Sequence, residues 1–137
     1  MGERDQIRLE IVTPEKEVFH AMVERFTVPA AMGSTGILYN HAPLLTVLVP
    51  GVLVYHMDGK DGYIAVSRGF LEMRDNEAEI LVDAAELAAD IDLERAKAAE
   101  KRARERLAQS SKGEIDVARA EAALARSLAR QKAVSYL

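Results

Sequence analysis

Few residues of this chain have types and spacing suited to chemistry, and most of those lie near its end. Asp92 and Arg95 stand three apart in Ile91-Asp92-Leu93-Glu94-Arg95-Ala96, and the pattern returns in Ile115-Asp116-Val117-Ala118-Arg119-Ala120. On a helix, residues three apart share a face. Each pair would set an acceptor carboxylate beside a guanidinium, whose planar fork suits phosphate oxygens. The plainer reading of either pair is a surface ion pair, which stabilises a helix by about 0.3–0.5 kcal/mol. His20, His41 and His56 have no metal-ligand spacing, so no metal is expected. Gly33-Ser34-Thr35-Gly36 reads as a glycine-bearing loop, but no Gly-Lys-Ser/Thr follows it and it is not a P-loop. Ser34, Ser67, Ser110 and Ser111 sit in no nucleophile elbow, and the absence of cysteine excludes disulfides and thiolate chemistry. The chain reads as one that binds and does not catalyse.

The elements that would carry these residues change character near Glu86. Before it, short runs rich in Val, Ile and Leu alternate with turns. Arg8 to Val12 and Arg25 to Val28 alternate polar and apolar residues as half-buried strands do. Val52–His56 and Tyr63–Val66 flank Asp58-Gly59-Lys60-Asp61-Gly62, and Phe70–Arg74 and Glu79–Val82 flank Asp75-Asn76-Glu77, which predicts two hairpins. After Glu86 strong helix formers take over, with Asp90 as the expected N-cap. Ser110-Ser111-Lys112-Gly113 predicts a break, and a second helix is expected over roughly 114–134. The expected fold is α+β: an N-terminal β-sandwich over residues 1–86, then an antiparallel two-helix hairpin over 87–137. Its seam is expected from Leu93, Ala96, Ala99 or Glu100, Ala103 and Leu107 against Val117, Ala120, Leu124 and Leu128. A seam so rich in alanine buries little area, so the hairpin should be held weakly and able to detach.

Charge divides along the same line. Residues 1–89 carry 7 Lys+Arg and 14 Asp+Glu, and residues 90–137 carry 11 and 8, which sums to the net charge of −4. An acidic body with a basic tail suggests an acidic protein or a phosphate ligand for the tail. No apolar region marks a signal peptide in Met1–Glu10. The longest apolar stretch, Pro43 to Tyr55, is broken by Thr46, Pro50 and Gly51 and is too short to span a bilayer, which takes about 20 residues.

The most distinctive segment is Gly36-Ile37-Leu38-Tyr39-Asn40-His41-Ala42-Pro43-Leu44-Leu45-Thr46-Val47-Leu48-Val49-Pro50-Gly51, whose prolines and glycines fix a turn before and after one short buried strand. It closely resembles the epsilon subunit family of F-type ATP synthases, in which Gly-Ile-Leu-Pro precedes His-x-Pro-Leu-Leu and Pro-Gly closes the strand. Val66-Ser67-Arg68-Gly69-Phe70-Leu71-Glu72-Met73 resembles the family's Ser-Gly-Gly-Phe-Leu-Glu strand, and Leu81-Val82-Asp83-Ala84-Ala85-Glu86 its boundary segment. The chain departs from the pattern at Tyr39, usually proline, and at Arg68, commonly glycine. Ala31-Met32-Gly33-Ser34-Thr35 also lacks the acids that many members carry in the loop facing the membrane ring.

The resemblance implies a non-catalytic rotor subunit of the central stalk. The body would bind the gamma subunit and sit on the ring of c subunits. The arm would either fold down or extend into the catalytic head, where it blocks ATP hydrolysis. Ile91–Ala96 is similar to the signature of members that bind ATP in the arm. The resemblance adds an acid near the boundary and arginines on both helices. The implied ATP site is therefore Glu86, Ile91, Asp92, Arg95, Ala96, Arg102, Arg126 and Arg130, with Ala96 leaving room for a flat base and ATP acting as a regulatory ligand of the folded arm. The place implied is the cytoplasmic face of a bacterial cell membrane, peripheral, with no nucleic acid and no direct membrane insertion. A purely structural rotor adaptor without nucleotide is the alternative.

Overall fold

The computed structural model describes residues 5–109 and 116–137. Ten strands come first: β1 (Ile7–Val12), β2 (Glu17–Val23), β3 (Arg25–Ala30), β4 (Gly33–Leu38), β5 (Leu44–Leu48), β6 (Gly51–Met57), β7 (Lys60–Val66), β8 (Gly69–Arg74), β9 (Glu77–Val82) and β10 (Ala85–Leu87). A 3-10 turn at Ala88–Asp90 leads into α1 (Leu93–Ala108), and α2 (Val117–Ser135) follows. The expected break at Ser110–Gly113 lies outside the described residues.

The hydrogen-bonded path runs β10-β7-β6-β3-β5-β8-β9-β1-β2, with β4 along the other edge of β3. It turns over between β3 and β5, where Ala30 and Leu48 alone are paired, and the two halves face each other as a sandwich. Leu9, Ile11, Leu71, Met73 and Ile80 from one half meet Phe26, Val28, Leu53, Ile64 and Val66 from the other, all buried. The alternation seen in the sequence is the physical cause, since every second residue of a strand points inward. Asp58 and Asp75–Asn76 adopt positive φ in the two hairpin turns, the conformation that Asp and Asn tolerate best after glycine. Gly69 has a steric role, because a Cβ there would run into the Leu81 carbonyl oxygen on β9.

Three expectations are corrected. Gly33-Ser34-Thr35-Gly36 is the start of strand β4, paired along its length with β3, and not a loop. β5 is not a buried strand: Leu45 and Val47 point outward and are 71% and 49% exposed. The N-cap of α1 is Asp92 and not Asp90, which ends the 3-10 turn. The turn holds Asp90 out of reach of the first helical amides, while Asp92 Oδ1 accepts the Arg95 backbone N–H at 3.1 Å.

Candidate functional site

α2 lies between α1 and the body. The side of α2 that faces α1 carries the buried Ala120 and Ser127, α1 turns its buried Ala96 and Ala103 toward α2, and Gln131 Nε2 donates to Glu100 Oε1 at 2.8 Å. At about 100° per residue, Ala129 and Ala133 fall on the opposite side of α2, where they face β6 and β7. Ala133 packs with Ala65 and Ala88 beside Val52, Tyr63 and Ile91, and Tyr136 stacks on Tyr63 with centroids 4.8 Å apart. Leu128 and Val117, expected in the seam, are exposed because they sit to the side of both contact faces. The buried centre of the contact with the body is made of alanines, with the Tyr136–Tyr63 stack at its end. An alanine methyl contributes about 0.8 kcal/mol on burial, against roughly 1.5–3 for a leucine side chain.

The helical period sorts the charges. Measured from the buried Ala96, Arg95, Arg102 and Arg106 fall on one flank of α1. Measured from the buried Ala120, Arg119, Arg126 and Arg130 fall on one flank of α2. Antiparallel packing brings these two flanks to the same side of the hairpin. The other side mixes signs and holds the ion pairs Lys97–Glu94 and Arg104–Glu100. Among the described residues, the arginine flank has one ion pair, from Arg130 Nε to Glu86 Oε1 of β10 at 2.7 Å. The Nε–H is not aligned on that oxygen, so the contact is electrostatic and Nε has no hydrogen-bond partner. Arg126 and Arg130 line a cavity of about 40 Å³ with Ser67, Ala84 and Glu86. A site of that size holds water and not a nucleotide.

The residues implied by the resemblance divide accordingly. Glu86, Arg126 and Arg130 come together at the junction of arm and body. Arg95 and Arg102 are exposed on the same flank, and Asp92 is exposed at the start of α1. Ile91 packs into the alanine cluster between arm and body. Ala96 is fully buried against α2, so no base can lie against it while the arm is folded. Asp92 and Arg95 form no side-chain pair. Asp116 repeats the same capping bond to the Arg119 N–H at 3.1 Å, so the recurring Asp-x-x-Arg-Ala pattern is in both places a helix start.

A second surface was not anticipated. Val12, Leu81, Phe70 and Val47 stand in register across β1, β9, β8 and β5 on the outer face of the sandwich. Phe70 is 53% exposed, and the neighbouring Leu45, Val49 and Met32 are also open to solvent. Val12, Pro14, Phe70, Leu81 and Asp83 line a shallow cavity of about 420 Å³ there. The signal in the sequence was large apolar residues at the positions where the alternation calls for polar ones. Toward the other end of the same face, Glu10, Glu79 and Glu72 form a row. Among the described residues no cluster of His, Asp or Glu could hold a metal, and no helix is long and apolar enough to cross a membrane.

Comparison with known proteins agrees from end to end. The ATP synthase Delta/Epsilon chain beta-sandwich domain matches residues 6–88, and the long alpha-helix domain of the same chain matches residues 89–135. An ATP synthase epsilon chain of Desulforamulus reducens is 50% identical over 127 residues, covering 92% of this chain and 95% of the relative. That of Nitratidesulfovibrio vulgaris is 45% identical over 126 residues, covering 92% and 93%. Among solved structures, a chain of the Euglena gracilis mitochondrial ATP synthase (OSCP/F1/c-ring) superposes with a TM-score of 0.74 at 22% identity, covering 97% of this chain and 82% of that one, a likeness of fold.

Proposed function

The chain belongs to the epsilon-chain family of ATP synthases, and from that membership we propose that it is a non-catalytic subunit of the central stalk whose arm senses ATP. The β-sandwich joins the gamma subunit to the ring of c subunits and turns with them. The exposed row Val12–Leu81–Phe70–Val47 supports this, because a monomeric surface rarely leaves so many large apolar side chains in register without a partner. That work places the subunit at the periphery of the membrane, on its cytoplasmic side, held there by its partners.

The arm, residues 87–137, is the regulator. Folded, it rests on the body through alanines, Ile91, the Tyr136–Tyr63 stack and one ion pair. Extended, it reaches the catalytic head and opposes rotation in the direction of hydrolysis. ATP binds the folded arm along the flank of Asp92, Arg95, Arg102, Arg126 and Arg130, with Glu86 at its border. Ile91 and Ala96 support the helix and do not touch the nucleotide. The observation that carries this reading is the Glu86–Arg130 contact, where body, arm and arginine flank meet. Phosphate would draw Arg130 from Glu86, so binding entails a local opening of the small cavity. Calorimetric titration of the isolated chain with ATP is the test. Saturable binding at one site is expected, and no heat above dilution would leave a structural adaptor.

A further inference from the structure

We propose that the arginine flank of the folded arm is a binding groove for an extended polyphosphate chain, longer than the triphosphate of a nucleotide. The proposal shares Arg95, Arg102, Arg126 and Arg130 with the nucleotide reading and adds Arg106 and Arg119.

The two helices repeat each other at an interval of 24 residues. Asp92 and Asp116 cap, Ala96 and Ala120 are buried, and Ala103 and Ser127 are buried next. Arg95, Arg102 and Arg106 recur as Arg119, Arg126 and Arg130. An antiparallel pair of equivalent helices is related by an approximate two-fold axis across the pair. Such an axis keeps equivalent flanks on one side, so six of the arm's seven arginines line one groove, with Ala99 and Ala123 toward its floor. Arg104, the seventh, is on the other side and paired to Glu100.

Glu100 bonding to Gln131 sets the level of one helix against the other. By that register Arg102, Arg106, Arg126 and Arg130 crowd the centre within about 8 Å, and Arg95 and Arg119 lie about 10 Å beyond at either end, at 1.5 Å per residue. The whole row spans about 25 Å, well beyond the reach of one triphosphate. Among the described residues, five of the six arginines make no ion pair, and Arg130 has only the misaligned contact with Glu86. One cation every 4–5 Å, from two walls, suits a thin chain with a charge on each unit. An acidic peptide helix presents one carboxylate per turn of about 5.4 Å on a given face and is about 10 Å wide, so it fits the groove less well. Guanidinium forks, and not lysines, are the groups that bind phosphate oxygens in pairs.

The test is calorimetric titration of the full chain with sodium tripolyphosphate, with a defined-length polyphosphate able to span the flank, with ATP, and with a poly-glutamate of matched charge. The spanning chain should bind more tightly than tripolyphosphate, and Arg106→Gln with Arg119→Gln should weaken it by tenfold or more, since both charge-assisted contacts at the ends of the row are lost. The same double variant should leave ATP binding unchanged, and Lys97→Gln with Lys101→Gln, on the other side, should leave both unchanged. Helix content by circular dichroism checks that the variants fold. No gain in affinity with chain length, equal loss in the lysine variant, or equal binding of poly-glutamate would each overturn the proposal. Polyphosphate binding without ATP binding would remove the nucleotide reading and leave this one; ATP binding with no preference for the longer chain would do the reverse.

Discussion

Asp92 and Asp116 look alike in the sequence and do the same thing in the structure, each accepting a backbone N–H three residues on. Removing either cap costs about 1 kcal/mol of helix stability. That equality makes Asp116→Ala a matched control. Asp92→Ala and Arg95→Ala are expected to abolish ATP binding in calorimetry, whereas Asp116→Ala and Arg119→Ala leave it in place. Equal losses at both sites would assign the effect to fraying and not to the ligand. Glu100 offers a second check at this scale. The Gln131 amide, and next the Arg104 guanidinium, hold its carboxyl below the usual range. A depressed value means that its contribution is complete above the ordinary carboxylate pKa of about 4.3 and is lost as pH falls through that value toward the folded one. Hydrogen-exchange protection at the α1–α2 contact, corrected for the intrinsic rate at each pH, should therefore fall on acidification, and Glu100→Gln should remove that part of the response.

At the scale of elements, the strands and their hairpins were legible because inward alternation and turn residues are local signals. β2 and β4 were missed, since Glu17–Val23 has no clear alternation and the glycines of Gly33–Leu38 imitate a loop. The helices were legible as helices, and so was the seam side at Ala96, Ala103 and Ala120, but the second buried side of α2, at Ala129 and Ala133, was not. α2 has two partners on opposite sides, so its alanines outrank Leu128, a choice that only packing makes. Of the implied site, Glu86 and Arg130 are in contact, while Ala96, expected both in the seam and beside a base, is buried in the seam as that first expectation had it. The position of Lys132, on the flank away from Arg126 and Arg130, yields a prediction. If the extended arm brakes through its arginine flank, Arg126→Ala with Arg130→Ala should raise ATP hydrolysis by the assembled enzyme and spare synthesis. Lys132→Ala should change neither. Equal relief from both would point to bulk charge.

Across the whole molecule, a firm sandwich carries an arm that touches it mainly through one helix. A chain ending after Leu87, so that β10 stays complete, is expected to fold and to co-purify with the gamma subunit while losing regulation of hydrolysis. Failure of a folded truncated chain to assemble would move the rotor contact into the arm. The weak docking also sets what a ligand can do. At free ATP 100 times its dissociation constant for the folded arm, with no binding to the extended one, the equilibrium shifts by about 2.7 kcal/mol, roughly 100-fold in population. A fluorescence pair on the body and at Tyr136 should report that compaction, and Arg95→Ala should abolish it.

The parallel pairing of β1 with β9 has a consequence for how the chain is made. Arg8 lies opposite Glu77, so the first strand can pair with β2 as soon as that strand emerges, but its other edge stays open until the ninth has left the ribosome. Contacts of such long range are slow to form, because loop closure must precede their reward. Meanwhile Ile7, Leu9 and Ile11 of β1 lack the core that will cover them, as exposed apolar residues of an unfinished chain do. The helices emerge later still and meet a body that is able to close without them. A lesion in β9 should therefore appear as a body that fails to fold, and a lesion in α2 as a folded body that lacks only what the arm contributes.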